Sequence, residues 1–280
     1  MTSLTYFQAI ILGIVQGFGE FLPISSSGHL SLLQYFFGIE GESVMLFAVM
    51  LHVGTLISVL AVYWKDMVRL IFELCYCIRD ICKGRGPRIN ANSTRRLGFM
   101  ILVATIPTAF MGLFFNDFFG SLYESIVAIA IGLILTGIIL MVAEKMGKSE
   151  KTVTGMKFRH AVFIGIMQGI ALTPGISRSG STLFGGLVAG LKRDFAVKFA
   201  FLVSIPSICG SVVLELPPAL KAGIDPSLVG PMLVGIVASA ITGFIAIKVM
   251  IKLVSDKKTA VFSYYVWALG LAIIVYSIIV

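Results

Sequence analysis

Charge is scarce in this 280-residue chain: Asp, Glu, Lys and Arg make up 13% of it, against roughly a quarter in soluble domains. Hydrophobic residues make up 58% and mean hydropathy is +0.98, which excludes an ordinary soluble domain. Apolar stretches of about 20 residues recur along the whole length, as in a polytopic helical membrane protein. Cysteine is also sparse. Cys75, Cys77, Cys82 and Cys209 show no paired metal-ligand spacing. The first three fall in a basic region assigned to the cytoplasm, where thiols stay reduced, so all four read as packing residues. No Lys or Arg precedes Lys65, so the basic region of a cleaved signal peptide is missing and the first apolar segment is expected to stay. The net charge of +8 does not point to nucleic acid, because the bases sit in a few loops beside apolar runs, as topology signals do.

One stretch is written twice. Residues 13–29 read GIVQGFGEFLPISSSGH and residues 165–181 read GIMQGIALTPGISRSGS, with eight identities in 17 positions at a constant offset. In each copy an apolar run stops at a Pro/Gly break, passes a Ser cluster and becomes apolar again. Glu20 and His29 are unique to the first copy, Arg178 to the second. The pattern suggests one membrane site assembled from two related half-sites.

The apolar runs are 4–22, 30–39, 44–63, 97–115, 122–143, 158–173, 182–191, 196–217, 227–254 and 260–280. Runs 30–39 and 182–191 are too short to cross a hydrocarbon core, which needs about 20 helical residues. Both follow the repeated motif directly, so each motif is read as the tip of a re-entrant helix hairpin, buried in protein or lining a wet cavity. The alternative makes 4–22 a full span, but it puts Glu20, Pro23 and three serines at the far membrane edge. Basic residues cluster in the linkers 64–96 and 144–157, with Arg159 just beyond, after the second hairpin, and at the end of the penultimate span. With those regions cytoplasmic, every Lys and Arg except Lys221 and Arg178 is inside. The expected fold class is therefore an all-α polytopic membrane protein with an inverted-topology repeat. Repeat 1 covers about 1–143 and repeat 2 about 158–280, each with one re-entrant hairpin plus three transmembrane helices. Both termini then lie outside. In the first linker Met67, Leu70, Ile71, Leu74 and Ile78 recur at helical spacing, as in an amphipathic helix on the inner membrane face.

An acidic side chain in a membrane segment is costly and marks function by default. Glu20 follows Gln16 by four residues, so one helical turn stacks the two. Ser25, Ser26 and Ser27, echoed by Ser177, Ser179 and Ser181, suit helix caps, yet a capped helix start also offers N–H groups to phosphate. Arg178 needs an anionic partner: phosphate oxygens, which its planar fork matches, or Glu20 across the repeat axis. His29, beside Ser and Glu, suits proton transfer near neutral pH, whereas His52 and His160 read as packing or interface residues.

The stretch QGFGEFLPISSSGH, taken with PGISRSG at 174–180, resembles the undecaprenyl-diphosphatase family, also called the bacitracin-resistance family. That resemblance implies an integral enzyme of the bacterial inner membrane, hydrolysing undecaprenyl diphosphate to the monophosphate and so recycling the lipid carrier of cell-wall synthesis. The family's first motif has Glu or Gln, three residues, then Glu; here the pair is Gln16 and Glu20, which weakens any scheme with two metal-binding carboxylates. Glu20, Ser25, Ser26, His29, Ser177 and Arg178 match active-site positions, and Ser27 stands where Thr is also common. Ser27-Gly28-His29 also matches a triplet of the type-2 phosphatidic acid phosphatases. Their partner motif, Ser-Arg-x5-His-x3-Asp, is absent, since neither His nor Asp follows Arg178 at that spacing.

The expected site thus assigns catalysis to Glu20, Ser26, His29 and Arg178, and substrate binding to Gln16, Ser25, Ser27, Gly28, Ser177, Ser179 and Gly180. Ser26 is the expected nucleophile, with direct attack by water as the alternative; Glu20 or His29 would be the base. A divalent cation, Mg or Ca, is expected on Glu20 and the diphosphate. The partners implied are membrane lipid and a lipid diphosphate reached from the outer face, with a homodimer through the Gly-rich spans also open. A transporter of phosphorylated polyprenyl lipid is the rival reading, because inverted repeats with broken helices suit transport.

Overall fold

The computed structural model describes residues 4–39, 42–147, 149–221 and 226–279, and among them it contains twelve helices and no strand. Lys148, counted among the inner bases, lies outside the described residues. The first half holds α1 (Tyr6–Phe21), α2 (Ser26–Phe37), α3 (Glu42–Val62), α4 (Trp64–Cys82), α5 (Ser93–Phe114), α6 (Asn116–Tyr123) and α7 (Ile126–Lys145). The second holds α8 (Phe158–Ile170), α9 (Arg178–Val188), α10 (Arg193–Lys221), α11 (Pro226–Ser255) and α12 (Ala260–Ile279). By length and apolar character α5, α7, α10, α11 and α12 can each cross a membrane, and α3 makes a sixth span when counted with the bend that follows it.

The repeated motif forms two helical hairpins, α1 with α2 and α8 with α9. The returning helices have 12 and 11 residues, about 16–18 Å at ~1.5 Å per residue and so roughly half of a ~30 Å core. They start four residues earlier than the apolar runs suggest. Ser25 and Ser177 are the N-caps, so the polar segments SSGH and RSGS form first turns, not loops.

Packing crosses between the halves: α1 lies along α11, and α8 along α5. Equivalent glycines make both crossings close. A Cβ on Gly13 would stand 2.5 Å from the Gly235 carbonyl oxygen, and one on Gly165 would collide with the Ala104 carbonyl. Small residues permit this approach of backbones where lipid offers no hydrophobic drive. These two glycines are therefore used within the chain.

The tip of the second hairpin is clasped by α7. Thr136 Oγ1 donates to the Gly175 carbonyl (2.9 Å) and accepts from Ser177 N–H (2.9 Å). Gly175 sits at φ +84°, and any Cβ on Gly132 would strike the Pro174 carbonyl. A Gly132→Val substitution should push this tip off α7 and shift Arg178, costing about 100-fold in kcat/KM, the penalty typical of a ~1 Å misplacement. Turnover by the folded, monodisperse variant tests this.

Beyond α3 the chain turns by 86° into α4, so an amphipathic helix lies across the end of a span, as its periodicity requires. Met67 and Leu70 pack on the main core while Ile71, Leu74 and Ile78 stay exposed. Arg95 ties the helix down, donating to Glu73 (2.9 Å) and Asp80 (2.8 Å). Its hydrogen bond holds the Asp80 carboxyl below the usual carboxylate range. Because this pKa is depressed, the stabilisation is present above the ordinary carboxylate value and is lost as pH falls through the lowered one. Proteolysis of the 83–92 loop should accordingly stay flat from neutral pH into mild acid and rise only below that.

Candidate active site

Glu20, on the last turn of α1, is the hub of the site; its side chain is only 3% exposed. One oxygen, Oε1, receives Arg178 NH1 at 3.1 Å. The other, Oε2, receives Ser26 Oγ–H at 3.0 Å and Gln16 Nε2–H at 3.2 Å. Residues 158 positions apart are thereby brought together on one carboxylate. Both sequence-level partners of Arg178 were anionic, and without ligand it is Glu20 that takes the role. Among the described residues only NH1 of the guanidinium makes a hydrogen bond, which leaves its remaining donors for another acceptor.

The two half-sites repeat their bonds as well as their letters. Ser25 Oγ accepts from Gly28 N–H (3.3 Å) and lies 3.3 Å from Ser27 Oγ. Ser177 Oγ accepts from Gly180 N–H (3.2 Å) and lies 3.2 Å from Ser179 Oγ. With these caps in place, the N–H groups of Ser26, Ser27, Arg178 and Ser179 have no acceptor within their helices. The tips touch: Ser179 Oγ donates to the Leu22 carbonyl (3.3 Å), and a Cβ on Gly28 would meet Gly175 Cα at 3.3 Å. The halves differ in strain. Ser25 is held at φ 68°, ψ 94°, whereas Ser177 is extended. A non-glycine residue there costs about 1–3 kcal/mol and persists where the surroundings over-determine it.

His29 is placed apart from the carboxylate. Its Nδ1 pairs with the Ser25 carbonyl (2.8 Å) and its Nε2 with Tyr265 Oη (2.7 Å), the two rings stacked. No ion pair or hydrogen bond joins it to Glu20 or Arg178 among the described residues. Of the expected substrate-binding residues, Gln16, Ser25, Ser177 and Ser179 are buried and Ser27 is half-buried at the tip.

The imidazole beside Glu20 is that of His52, which the sequence reading set aside as a packing residue. From α3 its Nε2 lies 3.9 Å from Glu20 Oε2, with Nδ1 held by the Ala48 carbonyl at 2.9 Å. Glu215 of α10 lies within electrostatic range of His52 and Arg178, and Tyr123 of α6 within range of Ser27 and Arg178. His52→Leu should lower kcat/KM about tenfold or more, the lower range for loss of a group acting on a proton-transfer pair, which steady-state phosphate release will read. His160 makes a local contact: its Nδ1 accepts from Lys157 N–H at the start of α8.

The protein's own residues offer a divalent cation few oxygens, so the expected Mg²⁺ or Ca²⁺ would take most of its ligands from the diphosphate. Both Glu20 oxygens already accept from donors, and no group of three His, Cys, Asp or Glu gathers among the described residues. Gln16 Oε1 is a buried acceptor without a partner, one neutral oxygen where Mg²⁺ or Ca²⁺ prefers several, usually with carboxylates.

Comparison with known proteins identifies the family. The family model described as "Bacitracin resistance protein BacA" matches residues 9–272. A protein of Alkaliphilus metalliredigens named undecaprenyl-diphosphatase is 43% identical over 99% of this chain and 100% of its own length. Proteins of the same name from Carboxydothermus hydrogenoformans and Methanosphaera stadtmanae are 41% and 36% identical, each over at least 96% of both chains. With both hairpin motifs inside the matched region, the chain belongs to the bacitracin resistance protein BacA family.

Proposed function

We propose that this chain is an integral membrane phosphatase that hydrolyses undecaprenyl diphosphate to undecaprenyl phosphate and inorganic phosphate. The observation that carries the reading is one buried carboxylate with Ser26 on one oxygen and Arg178 on the other. A serine hydroxyl aimed at a base and a guanidinium with free donors are the parts that phosphoryl transfer uses. Ser26 Oγ attacks the terminal phosphorus and gives its proton to Glu20; the anhydride P–O bond breaks and the polyprenyl phosphate leaves. Water then releases phosphate from Ser26. Arg178 and the N–H groups at the two helix starts stabilise charge on the phosphoryl oxygens. Mg²⁺ or Ca²⁺ enters this reading only as a companion of the diphosphate oxygens.

The same reading orients the protein in the plasma membrane. Bases crowd the linkers 64–96 and 144–157, which makes those linkers cytoplasmic and opens the site to the outer face. The crossed packing of α1 on α11 and α8 on α5 supports two halves related by an inverted repeat. The polyprenyl tail stays in lipid, so the pocket need hold only the headgroup.

Purified protein in detergent, given undecaprenyl or farnesyl diphosphate, should release inorganic phosphate. Failure to release it, alongside movement of the lipid across vesicles, would favour a carrier over an enzyme.

A further inference from the structure

A cavity of about 290 Å³ opens between α4, α5 and α10, well away from the Glu20–Arg178 pair. Its walls are almost wholly apolar, with Leu70 and Leu74 from α4, Gly98 and Leu102 from α5, and Ile205 and Pro206 from α10. Thr94 and Arg95, in the first turn of α5, and Glu73, which pairs with Arg95, stand at its polar end. From Thr94 to Leu102 the wall rises eight residues, about 12 Å at ~1.5 Å per residue, close to the ~15 Å depth of one leaflet. The cavity thus runs from the interface into the hydrocarbon along the direction of a lipid chain.

Charge gives the occupant its sign. Lys65, Arg69, Arg79 and Lys83 recur at helical spacing on the face of α4 opposite Met67, Leu70, Ile71 and Leu74. All four bases are exposed, and none is in an ion pair among the described residues. An amphipathic helix of this kind lies at headgroup depth, where long basic stems reach round toward lipid phosphate. The anionic inner surface attracts each such base appreciably.

We propose that this cavity seats one acyl chain of an anionic glycerophospholipid from the inner leaflet, its headgroup drawn to the basic inner surface that α4 presents. The site is separate from the hydrolytic one and belongs to the opposite membrane face. Gly98 is what keeps it open, since a Cβ there would already stand 3.3 Å from Leu70 Cδ2.

The test is native mass spectrometry of the whole protein, equilibrated in detergent with equal amounts of phosphatidylglycerol and phosphatidylcholine. Wild type should retain one phosphatidylglycerol, preferred about tenfold or more over phosphatidylcholine. Gly98→Phe should abolish that retention, with Leu102→Trp as a second cavity-filling variant if the first fails to fold. Joint K65Q, R69Q, R79Q and K83Q should remove the headgroup preference but keep chain binding. Retention of no lipid by wild type, equal retention of both lipids, or unchanged retention in a folded cavity-filling variant would overturn the proposal.

Discussion

Arg178→Ala should reduce phosphate release from undecaprenyl diphosphate by at least ~10³-fold, the lower bound for removing a guanidinium from a phosphoryl-transfer site. Charge alone does not replace it: Arg178→Lys puts a point charge where a planar fork with several donors stood, and should recover only part of the loss. Stability will respond differently. Arg178→Ala leaves the buried Glu20 carboxyl without its cation, a situation that typically costs about 3–5 kcal/mol. Adding Glu20→Gln removes the orphaned charge, so the double variant should regain much of the lost thermal stability while remaining inactive. Denaturation midpoints and turnover on the same three preparations separate the two effects.

Ser26→Ala is the second large effect. Ser26 Oγ is the hydroxyl that donates to Glu20, at 3.0 Å, and it is half-buried at the start of α2. Loss of a nucleophile of this kind costs up to ~10⁶-fold in well-studied hydrolases, with a residue left to the rest of the site. A loss of ~10³-fold or more is expected here. Its neighbours should tell a different story. Ser25 caps α2 through Gly28 N–H and Ser27 leans on Ser25, so their alanine variants should lose about 1 kcal/mol of stability and no more than about tenfold in rate. Mass spectrometry of acid-quenched enzyme should find phosphate on Ser26. A rate in Ser26→Ala close to that of wild type would assign the attack to water.

Much of this was legible in the residues. The offset between the two motifs, the short runs after them and the distribution of bases define the hairpins and spans without coordinates. Gln16, Glu20, Ser26 and Arg178 stand out because polar side chains are costly in such segments. What was not legible depends on how helices cross. His52 is an isolated histidine in an apolar run, and only the course of α3 past the end of α1 puts it against Glu20. Tyr265 and Glu215 likewise reach the motifs from spans whose sequences carry no signal of it. His29 shows the converse: proximity in sequence to Ser26 did not carry over, because the first turn of α2 points its ring to α12. The returning helices start four residues before the apolar runs, because the serine clusters that suit caps also supply the first turns.

The central claim is that two motifs from the two halves of the chain work as one site. A double-mutant cycle of Glu20→Gln and Arg178→Ala, read in kcat/KM for undecaprenyl diphosphate, tests it most directly. Strong coupling is predicted, with the double variant no slower than the worse single variant, since either change disables the same assembly. Losses that simply multiply would show the two residues acting independently and would contradict the account.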